Sequence, residues 1–215
     1  MSVPTELRAR LAADYSAVRP MPAPLIRVMW VTPFAMLALL AAPIYFNVRA
    51  DVGRLGWLLG WGASLLQTGL GFLVIAAALR ESIPGRTWKA TALAGWTIGP
   101  VLVLIAVTLI SAQISPVPLP RGFWRVGAVC LGGSAATALP VIAIANVLAA
   151  RAYPTRPVIM GALAGLGGGL MADAGWRMFC HFSEPLHVLS AHAGGVAVAV
   201  LAGAALALTL RKPAR

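Results

Sequence analysis

All three histidines and one of the two cysteines lie in one stretch of sixteen residues, RMFCHFSEPLHVLSAH, Arg177 to His192. Thiolates, imidazoles and carboxylates, here Cys180, His181, Glu184, His187 and His192, are the groups that ligate metal ions or, for the thiols, meet oxidants. The second cysteine, Cys130, stands fifty residues upstream of Cys180. On a regular helix Glu184 and His187, three apart, share a face, whereas His192, five beyond His187, points elsewhere. No CxxC or HxxxH spacing supplies a ready metal motif. The chemistry therefore depends on whether the fold brings Cys130 to the stretch. Each residue alone has a plainer reading. Cys130 is then a small packing residue, and His181 and His187 are polar groups at a headgroup boundary. His192 lies deeper, and ionisable residues inside apolar spans have partners or functions.

The elements that must position these residues follow from composition. Of 215 residues 60% are hydrophobic and 11% charged, and the mean hydropathy is +0.84. A soluble domain carries about 25% charged residues, so this chain cannot coat a water-facing surface. Spanning a bilayer takes about 20 apolar residues. Val28 to Phe46, Leu55 to Leu79, Ala90 to Ala112, Val126 to Ala150 and Val188 to Leu210 qualify. Pro157 to Phe179 makes a sixth span if it admits Asp173 and Arg177, which stand four apart, a spacing that lets them pair on one helix face. The fold class is all-α, a bundle of six transmembrane helices. Residues 1–26 form an N-terminal segment, 27–210 the membrane domain and 211–215 a basic tail. Glu6 and Asp14 precede the first span, whose apolar run is longer than a signal-peptide core. It is therefore expected to be retained.

Alternate loops divide Lys and Arg twelve to five, the larger share going to the two termini and the loops at Arg80–Lys89 and Arg151–Arg156. Positive charge marks the cytoplasmic side, so both termini are expected there. This division also accounts for the net charge of +11. A nucleic-acid surface would gather its charge on one face, so no direct nucleic-acid contact is expected. With this orientation Cys130 lies about 6 Å below Val126, at the outer end of the fourth span. Cys180 lies at the outer end of the fifth, and His187 and His192 in the first turns of the sixth. The cysteines and histidines thus share one leaflet, facing the oxidising compartment, and Cys180 is expected within reach of a membrane-impermeant thiol reagent. Ser183-Glu184-Pro185 has the character of a helix start, with Ser183 as the cap and proline in the first turn. Gly161, Gly165 and Gly169 recur every fourth residue, as small residues do where helices approach closely. Gly56 and Gly60, and Gly95 and Gly99, repeat the pattern more weakly. Such stripes fit either a compact bundle or a homodimer face.

YSAVRPMPAPLIRVMW after a short polar start, six spans, a cysteine early in the fourth, and FCHFSEPLHVLSAH before the sixth resemble the negative regulator of sigma-F (NrsF) family. These are bacterial inner-membrane anti-sigma factors. The resemblance covers essentially the whole chain, and its most specific parts are Val18 to Pro20 and the series from Cys180 to His192. It implies a chain that holds an extracytoplasmic-function sigma factor inactive at the membrane, with Cys130 and Cys180 as the sensing pair for a stress signal. The pair would respond by oxidation or by binding a thiophilic metal ion, with His181, His187, His192 and Glu184 tuning it or serving as ligands. No cofactor is required.

The N-terminal segment independently suits a docking role. Leu7, Leu11, Tyr15 and Val18 recur at four, four and three residues and form one helical stripe, as amphipathic helices that enter apolar grooves do. The other reading of the stripe is a helix lying on membrane lipid, its arginines near anionic headgroups. Two other classes fit less well. A metal-binding transporter would place polar groups near mid-bilayer, where Gln67 and Thr68 are the main examples here. A membrane metalloenzyme would build zinc from Cys180, His181, Glu184 and His187, yet it also needs an open ligand position and a base. No enzymatic activity is expected.

Overall fold

A computed structural model describes residues 4–14, 20–118 and 122–210. All of its regular structure is helical, and six helices are each long and apolar enough to cross a membrane. The short α1 is Thr5–Ala13. The spans are α2 Pro24–Phe46, α3 Val52–Glu81, α4 Ala90–Ile114, α5 Phe123–Ala150, α6 Pro157–Phe179 and α7 Pro185–Thr209. Several run a few residues beyond their apolar cores, because their end residues find partners within the protein. α2, for example, begins on Pro24 and takes in Arg27, a buried guanidinium that donates to the carbonyls of Leu79 and Leu148. Those carbonyls belong to the last turns of α3 and α5, which have no further amide to accept from.

α6 is the central helix. In its most apolar stretch 83% of residues are buried, against 17% for α4. The reason lies in GALAGLGGGLMADAG, which carries almost no side-chain bulk. α2, α3, α5 and α7 all pack against it. A Cβ at Gly161 would run into the backbone of Gly203, and one at Gly165 into the carbonyl of Ala199. On other faces Gly167 meets Gly71 and Ile75, Gly168 meets Ile142, and Gly175 meets the carbonyls of Ala38 and Leu39. The Gly161-Gly165-Gly169 stripe therefore serves α6–α7 packing inside one chain, and a homodimer face is not shown. Gly95 and Gly99 look onto open space, while Gly60 packs only on Val52 of its own helix.

The bundle has two ends, each tied by polar contacts. At the proximal end, where α2 begins, Glu81 pairs with Arg156 at 2.5 Å and accepts the Trp88 backbone N–H at 2.7 Å. At the distal end Arg49 forks onto Asp51 at 2.6 and 2.8 Å, and the Ser115 hydroxyl donates to the same carboxylate at 2.8 Å. Asp51 lies between spans. Burial pushes its carboxyl upward, but the hydrogen bonds from Arg49 and Ser115 and the Arg49 charge outweigh this and hold it below its ordinary range.

Every described side chain of α1 is exposed. Of the predicted docking stripe, the structure describes only the side chain of Leu7, 48% exposed. The Leu11 side chain, Tyr15 and Val18 lie outside the described residues, as does the basic tail 211–215. An amphipathic face on α1 is accordingly not shown.

Candidate sensor site

α5 enters at the distal end, and Cys130 occupies its second turn. α6 arrives at the same end and stops at Phe179, leaving Cys180 to begin the connection to α7. The two sulfurs lie 3.8 Å apart, with both residues buried and both thiols free. Ala42, Trp176 and Ala191 pack around them, with Val126, Leu131, Phe179 and Phe182 at the edge. Cys180 is only 4% exposed, so an impermeant reagent cannot reach it while the connection stays closed. The expected accessibility is therefore corrected. A position at the end of a span does not expose a side chain that the next turn covers.

The connection is held down from outside the helices. Arg49 donates to the carbonyls of Arg177 and His181 at 3.4 and 3.2 Å, and to the Ser183 hydroxyl at 3.0 Å. Its own backbone N–H meets the Met178 carbonyl at 2.9 Å. Ser183 is thus not the helix cap that its sequence position suggested. α7 starts one residue later, with Glu184 at the cap, no side-chain capping bond, and Pro185 in the first turn.

The histidines separate into two groups. The backbone of α7 is π-helical from Val188 to His192. A π-turn closes its hydrogen bonds over five residues instead of four, so residues five apart return to the same face. His187 and His192 consequently sit together, ring centroids 5.2 Å apart, where a regular helix would separate them. His187 Nε2 is 3.2 Å from Cys180 Sγ. Cys130, Cys180, His187 and His192 each offer one ligand atom, and all four atoms lie within 4.8 Å of one another. His181 and Glu184 are not in this group. The His181 ring rests on Phe182, with centroids 4.1 Å apart. The ligand set weighed for a metalloenzyme, Cys180 with His181, Glu184 and His187, is therefore not the one assembled.

Asp173 also differs from expectation. Instead of pairing with Arg177 it accepts from His192 Nδ1 at 2.7 Å and from Gln67 Nε2 at 2.6 Å. Arg177 turns to the Thr108 hydroxyl at 3.3 Å. α6 carries Asp173 inward between α3 and α7, where a fully buried carboxylate needs more than one donor. Three buried polar residues from three spans thus form one chain, Gln67–Asp173–His192, leading to the thiols. Each of the three stands out in the sequence as a polar group within an apolar span, but no spacing joins them. Cys180 lies outside the spans, and the hydrogen bond from the Cys130 thiol lowers its thiol below the ordinary range. Burial opposes this, and His187 and His192 add to it.

No curated protein and no solved structure matches the chain. A family described as negative regulators of sigma F matches residues 11–211, which is most of the chain. That regulatory family implies binding of a sigma factor and points away from enzymatic activity. The chain belongs to the NrsF family, the negative regulators of sigma F.

Proposed function

We propose that this protein is an inner-membrane anti-sigma factor that sequesters an extracytoplasmic-function sigma factor and releases it when Cys130 and Cys180 are bridged. In this reading both termini are cytoplasmic and the cysteine pair faces the periplasm, following the distribution of Lys and Arg. The observation that carries the proposal is the 3.8 Å separation of two buried free thiols, one on α5 and one on the α6–α7 connection. Bridging by oxidation forms one S–S bond and sends two protons and two electrons to a thiol oxidant of the peroxide class. Bridging by a thiophilic metal ion leaves the sulfurs reduced. Either event ties α5 to the α6–α7 corner.

The route to the other end of the bundle runs along α5. Its distal end carries Cys130, and near its proximal end the Leu148 carbonyl accepts from Arg27. Arg27 follows directly on the N-terminal segment, the proposed docking element for the sigma factor. A shift of α5 against α6 therefore acts on the residue where that segment meets the bundle.

Docking itself is tested at Leu11 and Tyr15. Replacing both by Asp is expected to free the sigma factor, because an apolar groove does not accept two carboxylates. The sigma-dependent promoter should become constitutively active while the protein still inserts in the membrane. A variant that inserts normally and still represses would show that this stripe is not the docking face.

A further inference from the structure

The paired-thiol reading rests on Cys130 and Cys180 alone. His187, His192, Asp173 and Gln67 meet at the same place and extend it. We infer that the distal site is a closed four-ligand centre for a d10 divalent cation of the zinc or cadmium kind, held by Cys130, Cys180, His187 and His192, with Asp173 and Gln67 fixing the orientation of His192. The proposal deepens the sensor reading and depends on it only for what the ion signals, not for whether the ion binds.

Geometry supplies the first argument. With metal–sulfur bonds of about 2.3 Å in a tetrahedron, two cysteine sulfurs stand about 3.8 Å apart. The sulfurs here are 3.8 Å apart. A sulfur and an imidazole nitrogen on the same ion stand about 3.5 Å apart, given metal–nitrogen bonds of about 2.0–2.1 Å. Cys180 Sγ and His187 Nε2 are 3.2 Å apart. These two spacings are close to those of ligand atoms on one ion. By contrast, a disulfide of about 2.05 Å requires the sulfurs to close by about 1.8 Å.

The second argument is the histidine tautomer. Metal-ligating histidines commonly give their other ring N–H to a carboxylate, which fixes the ring and raises its basicity. His192 does this through Nδ1 to Asp173, leaving Nε2 as its ligand atom. Asp173 is held in turn by Gln67, which also donates to the Leu170 carbonyl at 3.1 Å. The π-turn of α7 is the local irregularity that puts both imidazoles on the thiol face.

Charge gives the third. Two thiolates and two neutral imidazoles on a divalent ion make a ligand set of zero net charge, which a low-dielectric interior tolerates. Four protein ligands fill the tetrahedron, so no position remains for a substrate or an activated water. Such a centre holds helices together.

The test uses the full chain in detergent, reduced and stripped of metal, titrated with cadmium chloride. One ion per chain is expected, with a thiolate-to-cadmium absorption band. X-ray absorption at the cadmium edge of the wild-type protein should read two sulfur and two nitrogen donors, a measurement that needs no variant. Asp173→Asn should weaken binding about 10–100-fold, while His181→Gln and Glu184→Gln should bind as wild type. No binding by the reduced protein, or a donor set without nitrogen, would overturn the four-ligand centre. Retention of the sigma factor and its release by peroxide are read in the same preparation. A protein that binds no cadmium yet still releases its partner on oxidation refutes the metal centre and leaves the regulator reading standing.

Discussion

Cys130→Ser and Cys180→Ser are each expected to abolish release of the sigma factor under stress, and the double variant to do no more than either one. The two sulfurs lie 3.8 Å apart, one on α5 and one on the α6–α7 connection, and either bridge between them, disulfide or metal, needs both. Losing one therefore removes the whole response, as expected of a pair acting as a unit. Serine is smaller and harder than cysteine but fits the same buried site, so repression in the unstressed state should persist. The measurement is a sigma-dependent reporter, read with and without oxidant or cadmium. Additive effects of the two substitutions would mean that the sulfurs act separately, and would return Cys130 to a packing role in the cluster with Trp176 and Ala191.

A second large effect is expected at the centre of the bundle. Gly165→Leu places a side chain where α6 touches the backbone of α7 at Ala199 and Val200. Overpacking a core costs about 1–3 kcal/mol when neighbouring side chains can move aside. Here the obstacle is backbone, so the cost should lie at or above the upper limit. The variant should melt well below wild type in detergent and lose repression with it. Gly99→Leu adds the same side chain in open space on α4 and should leave the melting temperature unchanged. Equal behaviour of the two variants would contradict the central position of α6.

The contrast between these glycines shows how far the sequence could be read. Six spans followed from hydropathy, since a charge-free run long enough to cross a bilayer has few other structures available to it. The Gly161 stripe signalled close packing but not its partner. Gly95 and Gly99 have the same spacing and pack against nothing within 4 Å, so the spacing alone cannot separate a used stripe from an idle one.

At the site, placing Cys130, Cys180 and the sixth-span histidines at one end of the bundle needed only helix rise and loop order, and the structure brings Cys130, Cys180, His187 and His192 together. The face of His192 did not follow, because a regular period was assumed where the backbone is π-helical. For Asp173 the sequence offers a cation four residues away, Arg177. Its actual donors come from α3 and α7, a tertiary fact with no local signature. Arg49 carries no local sign in the sequence that it fastens the connection covering the thiols. The docking stripe stays a matter of periodicity, with Leu7 its one described side chain.

The claim on which the rest depends is that bridging Cys130 to Cys180 at the distal end releases a sigma factor held at the proximal end. It is tested most directly by capturing the full-length protein from detergent-solubilised membranes with its partner bound. The complex is then washed with buffer, with peroxide, or with cadmium chloride, and the eluted proteins are identified by mass spectrometry. A sigma factor should stay bound in buffer and elute with either bridging reagent from the wild type, but stay bound throughout in the Cys130→Ser protein. Elution of the sigma factor from the Cys130→Ser protein to the same extent as from wild type would contradict it.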